Sequence, residues 1–250
     1  MEPAPEADGL TPAAPQVLPV QRAGAAIEGL LCSGFPTQLL LIGVLSSIGL
    51  RMQTESGRLS SLFVFTVSLL DTVLVVGLVF LFIRAHGESA RALLLGSRPI
   101  LREALLGVIL VPILFVFVFI VLALILTFAP QLHNVARNPF EDMLQTPRDT
   151  LAFALVVMIA GGVREEIQRG FILRRFQQYL GGGAVGLILF SVVFGLGHIE
   201  QGIDAMLATG LLGAAWGGIF LARGSIGAPM VSHALFNLGQ LIKYVGLAVR

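Results

Sequence analysis

The chain has 250 residues, of which 56% are hydrophobic and only 12% charged, whereas a water-soluble domain carries about 25% charged residues. Bilayer rather than water is the implied solvent. Its 16 basic and 15 acidic residues leave a formal net charge of +1, too weak a field to recruit nucleic acid, and its single cysteine, Cys32, excludes an intramolecular disulfide and a thiolate metal cluster.

Residues 1–24 hold Pro3, Pro5, Pro12 and Pro15 among small and acidic residues, without an apolar period, and are expected to be a disordered tail. The first basic residue is Arg22, so this stretch is not expected to act as a cleavable signal peptide. A helix that crosses about 30 Å of hydrocarbon needs about 20 apolar residues, because its backbone must satisfy its own hydrogen bonds there. Charge-poor runs from Gly29 to Leu50, Ser61 to Ile83, Ala104 to Phe128 and Ala205 to Ala222 meet that length well. Thr150 to Val163, Gly183 to His198 and Gly227 to Ala248 meet it less regularly. The expected fold class is therefore all-α, a polytopic transmembrane bundle of seven to eight spans. Phe115, Phe117 and Phe119 alternate as in a strand, but the length of their run decides for a helix.

Residues 25–128 form an expected anchoring half, 129–149 a polar connection containing Pro130, Pro139 and Pro147, and 150–250 a site-bearing half. The loop from Arg84 to Glu103, with Arg91, Arg98 and Arg102, is expected on the cytoplasmic side. Arg174 and Arg175 are expected to be a solvated, topology-setting helix end. Asp71 lies inside an apolar run with no basic neighbour, so a neutral acid or a pair with a distant Arg is expected there rather than catalysis.

Ionisable residues inside spans are costly and turn toward a bundle interior or a watery cavity. Three groups stand out. Glu165 and Glu166 precede Arg169 by four and three residues, so either carboxylate can pair with the guanidinium while the other points about 100° away. Phe194 and His198 lie one turn apart, with Gly195 and Gly197 permitting close helix approach. His233 and Asn237 are again four residues apart. Such groups suit peptide-bond hydrolysis: a Glu takes a proton from water, a His orients that water or protonates the leaving amine, and a second His or an amide faces the oxyanion. The same set suits a divalent metal such as zinc held by His198, His233 and a Glu. Blander readings exist for each group: a charged interfacial turn, a helix-end imidazole satisfied by a backbone carbonyl, and interhelical hydrogen bonding.

The series EE–Arg, FxxxH and HxxxN resembles the three-motif pattern of the CAAX protease and bacteriocin-processing family, also called Abi, over roughly residues 151–245. The resemblance implies an intramembrane endopeptidase. It casts Glu165 and His198 as the water-activating pair and His233 with Asn237 as the oxyanion site, with Glu166, Arg169 and Phe194 completing the motifs. The family pattern usually has three residues between the second Glu and the Arg; here only Ile167 and Gln168 intervene. Aligning on the acidic pair keeps Glu165 first, whereas aligning on Arg169 and Gly170 puts Arg164 there. The first alignment is adopted, and the catalytic carboxylate stays open between Glu165 and Glu166. The implied partners are the bilayer and a membrane-associated protein or peptide, with prenylated C-termini and bacteriocin leaders both known in the family. A non-proteolytic scaffold and an ion- or proton-coupled transporter are the alternative uses of the same polar cluster.

Overall fold

The computed structural model describes residues 17–248. Its main helices are α1 (Pro19–Leu31), α2 (Phe35–Ser47), α3 (Ser61–Ala85), α4 (Ile100–Phe128), α5 (Pro147–Val156), α6 (Glu165–Tyr179), α7 (Gly183–Leu196), α8 (Ile203–Arg223) and α9 (Gly227–Ala248). A π-helical segment, Val157–Arg164, joins α5 to α6 without a break. Among the described residues there is no strand beyond an isolated bridge between Gln53 and Leu59. The all-helical class expected from composition is the one observed.

The count of seven to eight spans is not confirmed by helix length and composition among the described residues. Three helices, α3, α4 and α8, are long and apolar enough to cross a membrane by themselves, and α1 with α2 makes a fourth if that bent pair is counted as one span. The run from Gly29 to Leu50 is thus not one straight helix. It breaks at residues 32–34, and its two parts meet at 42°. Gly34 takes a left-handed φ of 84° in front of α2, and Pro36 occupies the first turn, where a missing N–H costs nothing. α7, with 14 residues, reaches only about 21 Å. The α5–π–α6 rod carries Arg164, Glu165, Glu166 and Arg169 near its middle, which interrupts its apolar run. The tail boundary also moves: helix α1 begins at Pro19, before residue 24, while residues 1–16 lie outside the described part.

Between lipid-facing helices, burial of apolar surface gains little because lipid is as apolar as leucine, so close packing and polar contacts hold the bundle. Ile109, Ile113, Val116 and Phe119 of α4 face outward accordingly. Glycines let backbones meet. A Cβ on Gly195 of α7 would stand 2.8 Å from the Met206 carbonyl of α8, and one on Gly162 would stand 2.5 Å from Ala234 of α9. Gly197 has no such neighbour on another helix. One core gathers Phe171, Ile172 and Leu173 of α6 with Val79, Ile83, Phe220 and Ile226. A second gathers Leu114, Val118, Leu212, Trp216 and Phe236, where Phe115 and Phe236 stack with centroids 4.4 Å apart.

Arg175 is not a solvated helix end. It is 1% exposed, with Nε donating to Glu28 of α1 at 2.7 Å and both Nη atoms donating to Glu88 at 2.9 and 2.7 Å. His86 Nε2 reaches the other Glu28 oxygen at 2.5 Å. Two carboxylates from the N-terminal half therefore tie α1 and the loop after α3 to α6.

Candidate active site

The π segment and α9 set the floor of the site. In this stretch Gly161 lies so close to α9 that a Cβ would run into the Asn237 amide and come within 3.9 Å of His233 Nε2. A π turn is a one-residue widening of the helix, found often at functional sites, and here it leads directly into Glu165. Thr146 and Asp149 close a capping box at the start of α5, which fixes where this rod begins.

The two adjacent glutamates are treated differently. Glu166 is fully buried and accepts hydrogen bonds from Arg169, three residues on, and from His233 Nδ1 at 2.7 Å. Its Oε2 has no hydrogen-bond partner among the described residues. Arg169, also fully buried, lies over the faces of Phe194, Phe190 and Trp216 at 4.8, 5.2 and 5.6 Å, so aromatic quadrupoles replace part of its lost hydration. Glu165 keeps 18% of its side chain exposed. Its Oε2 lies 3.8 Å from His233 Nε2, and its Oε1 lies 4.0 Å from Arg164. Both distances exceed a hydrogen bond and fit a bridging water.

Hydrogen bonding fixes the ring chemistry of both histidines. Glu166 is paired with a guanidinium and acts as an acceptor, so His233 must place its proton on Nδ1; neutral, it then presents a lone pair at Nε2 toward Glu165. His198 likewise donates Nδ1–H to the Phe194 carbonyl at 2.8 Å, which is the helix-end arrangement of the blander reading, and its Nε2 is also left as an acceptor. Trp216 stacks on His233 at 3.8 Å and 16°, while its indole N–H is held by Ser232 at 3.0 Å. The oxyanion role expected of His233 needs an Nε2–H that the neutral ring lacks. The Asn237 amide retains that capacity.

Glu165, Phe194, His198, His233 and Asn237 all line one cavity of about 520 Å³. Glu166 and Arg169 stand behind its wall, touching it only through His233 and the aromatics. The same cavity is lined by His133 and Asp204, hydrogen-bonded at 2.7 Å, and by Trp216. Sequence reasoning did not single out these three residues, since neither a 71-residue separation nor a lone Trp gives a spacing to read. On its other side Glu165, with Phe194, lines a second, mostly apolar groove of about 490 Å³ between α1, α6 and α7. One carboxylate therefore touches both spaces.

The fit to a metal is half met. Both histidines donate their far N–H to a carboxylate or carbonyl, the support that metal-ligating imidazoles have. Yet among the described residues no three His, Cys, Asp or Glu side chains are gathered to hold a metal ion, so the expected His198–His233 pair lacks a completed donor set in this arrangement.

Apolar, membrane-length helices around buried carboxylates, imidazoles and an amide define a membrane protein with a buried polar cluster. Residues 147–239 match the family model described as type II CAAX prenyl endopeptidase Rce1-like, so this segment is similar to the family that the three motifs resemble. The match contains all three motifs and leaves α1 to α4 outside it. No curated protein and no solved structure matches the chain.

Proposed function

We propose that the protein is an intramembrane endopeptidase in which Glu165 and His233 activate water for attack on a peptide carbonyl, with Asn237 facing the oxyanion. The observation that carries this reading is the placement of Glu165, His198, His233 and Asn237, from three separate helical segments, on one cavity. Water between Glu165 Oε2 and His233 Nε2 meets two acceptors, so either takes its proton while the oxygen attacks. His233 reaches Glu166 through Nδ1, and Glu166 stabilises the imidazolium that forms, as a buried carboxylate does in other carboxylate–imidazole pairs. The proton taken from water returns to the leaving amine from Glu165 or from the His233 imidazolium as the C–N bond breaks, and His198 Nε2 is a further proton acceptor on the same cavity.

The family name specifies prenylated substrates. In this chain the apolar groove lined by Leu30, Ile172, Phe176, Leu189 and Val193 supports a substrate whose lipid chain lies between α1 and α7 while its peptide enters the polar cavity past Glu165. The proposed setting is a multi-pass chain in the bilayer. Water activation is assigned to side chains, so activity is expected to persist after exhaustive chelation.

The test is purified full-length protein in liposomes with a quenched peptide bearing a C-terminal prenylcysteine motif, beside the same peptide without the prenyl group. Cleavage of the first with a marked preference over the second is expected. Equal cleavage of both would remove the groove from substrate binding, and no cleavage of any membrane-anchored peptide would sink the endopeptidase reading.

A further inference from the structure

Glu165 has no direct hydrogen bond among the described residues, although it is the carboxylate that faces both cavities. What stands nearest on its other side is Arg164. That guanidinium is buried, and its Nη2 donates to Asp71 in the middle of α3. Asp71, 2% exposed, is itself held from α2: the Thr37 hydroxyl donates to Oδ1 and Gln38 Nε2 to Oδ2, the latter at 3.2 Å. Gly34 makes room for the arrangement, since a Cβ there would run into the guanidinium. The bend between α1 and α2 thus has a use: it lays the start of α2 against Arg164.

A guanidinium kept for packing alone would be expected to have its five donors satisfied. Arg164 is not saturated in that way. Its Nε is buried without a partner, and its Nη1 is turned to Glu165 Oε1 at 4.0 Å. The charges alternate along one line from Asp71 to Arg164 to Glu165, ending at the imidazole of His233.

We propose that Asp71 is a positioning residue for the hydrolytic site, fixing Arg164 so that its charge holds the Glu165 carboxylate between the two cavities and turned toward His233. The inference rests on the endopeptidase reading and adds to it a contribution from α2 and α3, which lie outside the family match. It also gives Arg164 a task at the place where one alignment of the motif would put a glutamate: the site uses a cation beside its base, anchored from another helix.

The experiment uses full-length protein in liposomes, with turnover expressed per folded molecule and stability read as a thermal midpoint. Asp71→Asn should lower kcat by about 10²-fold, the scale of a displaced catalytic group, and Asp71→Glu should recover most of it. The charge swap, Asp71→Arg with Arg164→Asp, separates positioning from packing. It restores an ion pair between α3 and the π segment but sets an acid beside Glu165. The expected result is a recovered midpoint with kcat still depressed. Recovery of kcat together with the midpoint would overturn the proposal, because the pair would then be only a brace. If the swapped protein does not fold, the neutral pair Asp71→Asn with Arg164→Gln decides: wild-type kcat in that variant overturns the proposal, and depressed kcat supports it. Failure of the underlying reading looks different, since wild-type protein would then cleave nothing, or Glu165→Gln would cleave as fast as wild type.

Discussion

Helix α6 carries two buried arginines less than two turns apart, and their surroundings differ in one respect. Arg175 is saturated: its Nε and both Nη atoms donate to Glu28, Glu88 and Gln178. Around Arg169 the account does not close. Arg169 Nε and Nη2, Glu166 Oε2 and Arg164 Nε are all buried without hydrogen-bond partners among the described residues. A buried charge left partly unsatisfied costs stability, and such costs persist at sites where the group faces a ligand or a reacting atom. The saturated cluster ties α1 to α6; the unsaturated one lies behind the cavity that holds Glu165 and His233.

Removing each arginine sharpens the contrast. Arg169→Ala strands Glu166 in an apolar wall, frees His233 from its fixed tautomer and removes the cation over Phe194, so both stability and turnover should fall. Breaking a buried pair costs about 3–5 kcal/mol, and the activity lost per folded molecule should come on top of that. Arg175→Ala should cost a similar amount of stability, yet the molecules that remain folded should turn over at the wild-type rate. Thermal midpoints and turnover per folded molecule, measured side by side, check both. Equal loss of turnover in the two variants would erase the distinction between brace and site.

How much of this was legible in the sequence follows from the range over which each signal acts. The all-helical class is readable because lipid demands long apolar runs, and a pair between Arg169 and one of the two glutamates is readable because i+3 and i+4 share a helix face, but spacing leaves open which of the two it is. For Asp71 the sequence leaves a neutral acid and a pair with a distant Arg both open, and that the partner is Arg164, 93 residues away, has no local signature. Composition alone does not fix the span count where charges interrupt a rod, as at Arg164 to Arg169, or where Gly34 and Pro36 bend a run that looks continuous. Arg175 is hidden for the same reason: its partners, Glu28 and Glu88, lie in the other half of the chain, so its neighbours in sequence resemble an ordinary helix end. Trp216 under His233 and the His133–Asp204 pair came from packing alone.

A smaller effect tests the saturated side of the comparison. Burial raises the Glu88 carboxyl, but hydrogen bonding and charge from Arg175 lower it further, and the net position is below its ordinary value. A carboxyl depressed in the folded state contributes stability above its unfolded value and loses it as pH falls through the folded one. The Glu88 contribution should therefore fade below about pH 4. Glu88 is partly exposed, so the effect is modest. Midpoints measured from pH 6 down to pH 3 should fall less steeply in Glu88→Gln than in wild type; parallel curves would mean that Glu88 does not contribute through its charge.

The two adjacent glutamates divide base and support between them, and turnover of Glu165→Gln and Glu166→Gln in liposomes separates these tasks. Glu165→Gln should keep the wild-type thermal midpoint and lose about 10²- to 10⁴-fold in kcat, the range of general-base catalysis. Glu166→Gln should instead lower the midpoint, because Arg169 and His233 lose their shared carboxylate, with turnover falling through the disturbed imidazole. A Glu165→Gln protein that cleaves at the wild-type rate while a stable Glu166→Gln protein is inactive would contradict the account and make the buried carboxylate the base.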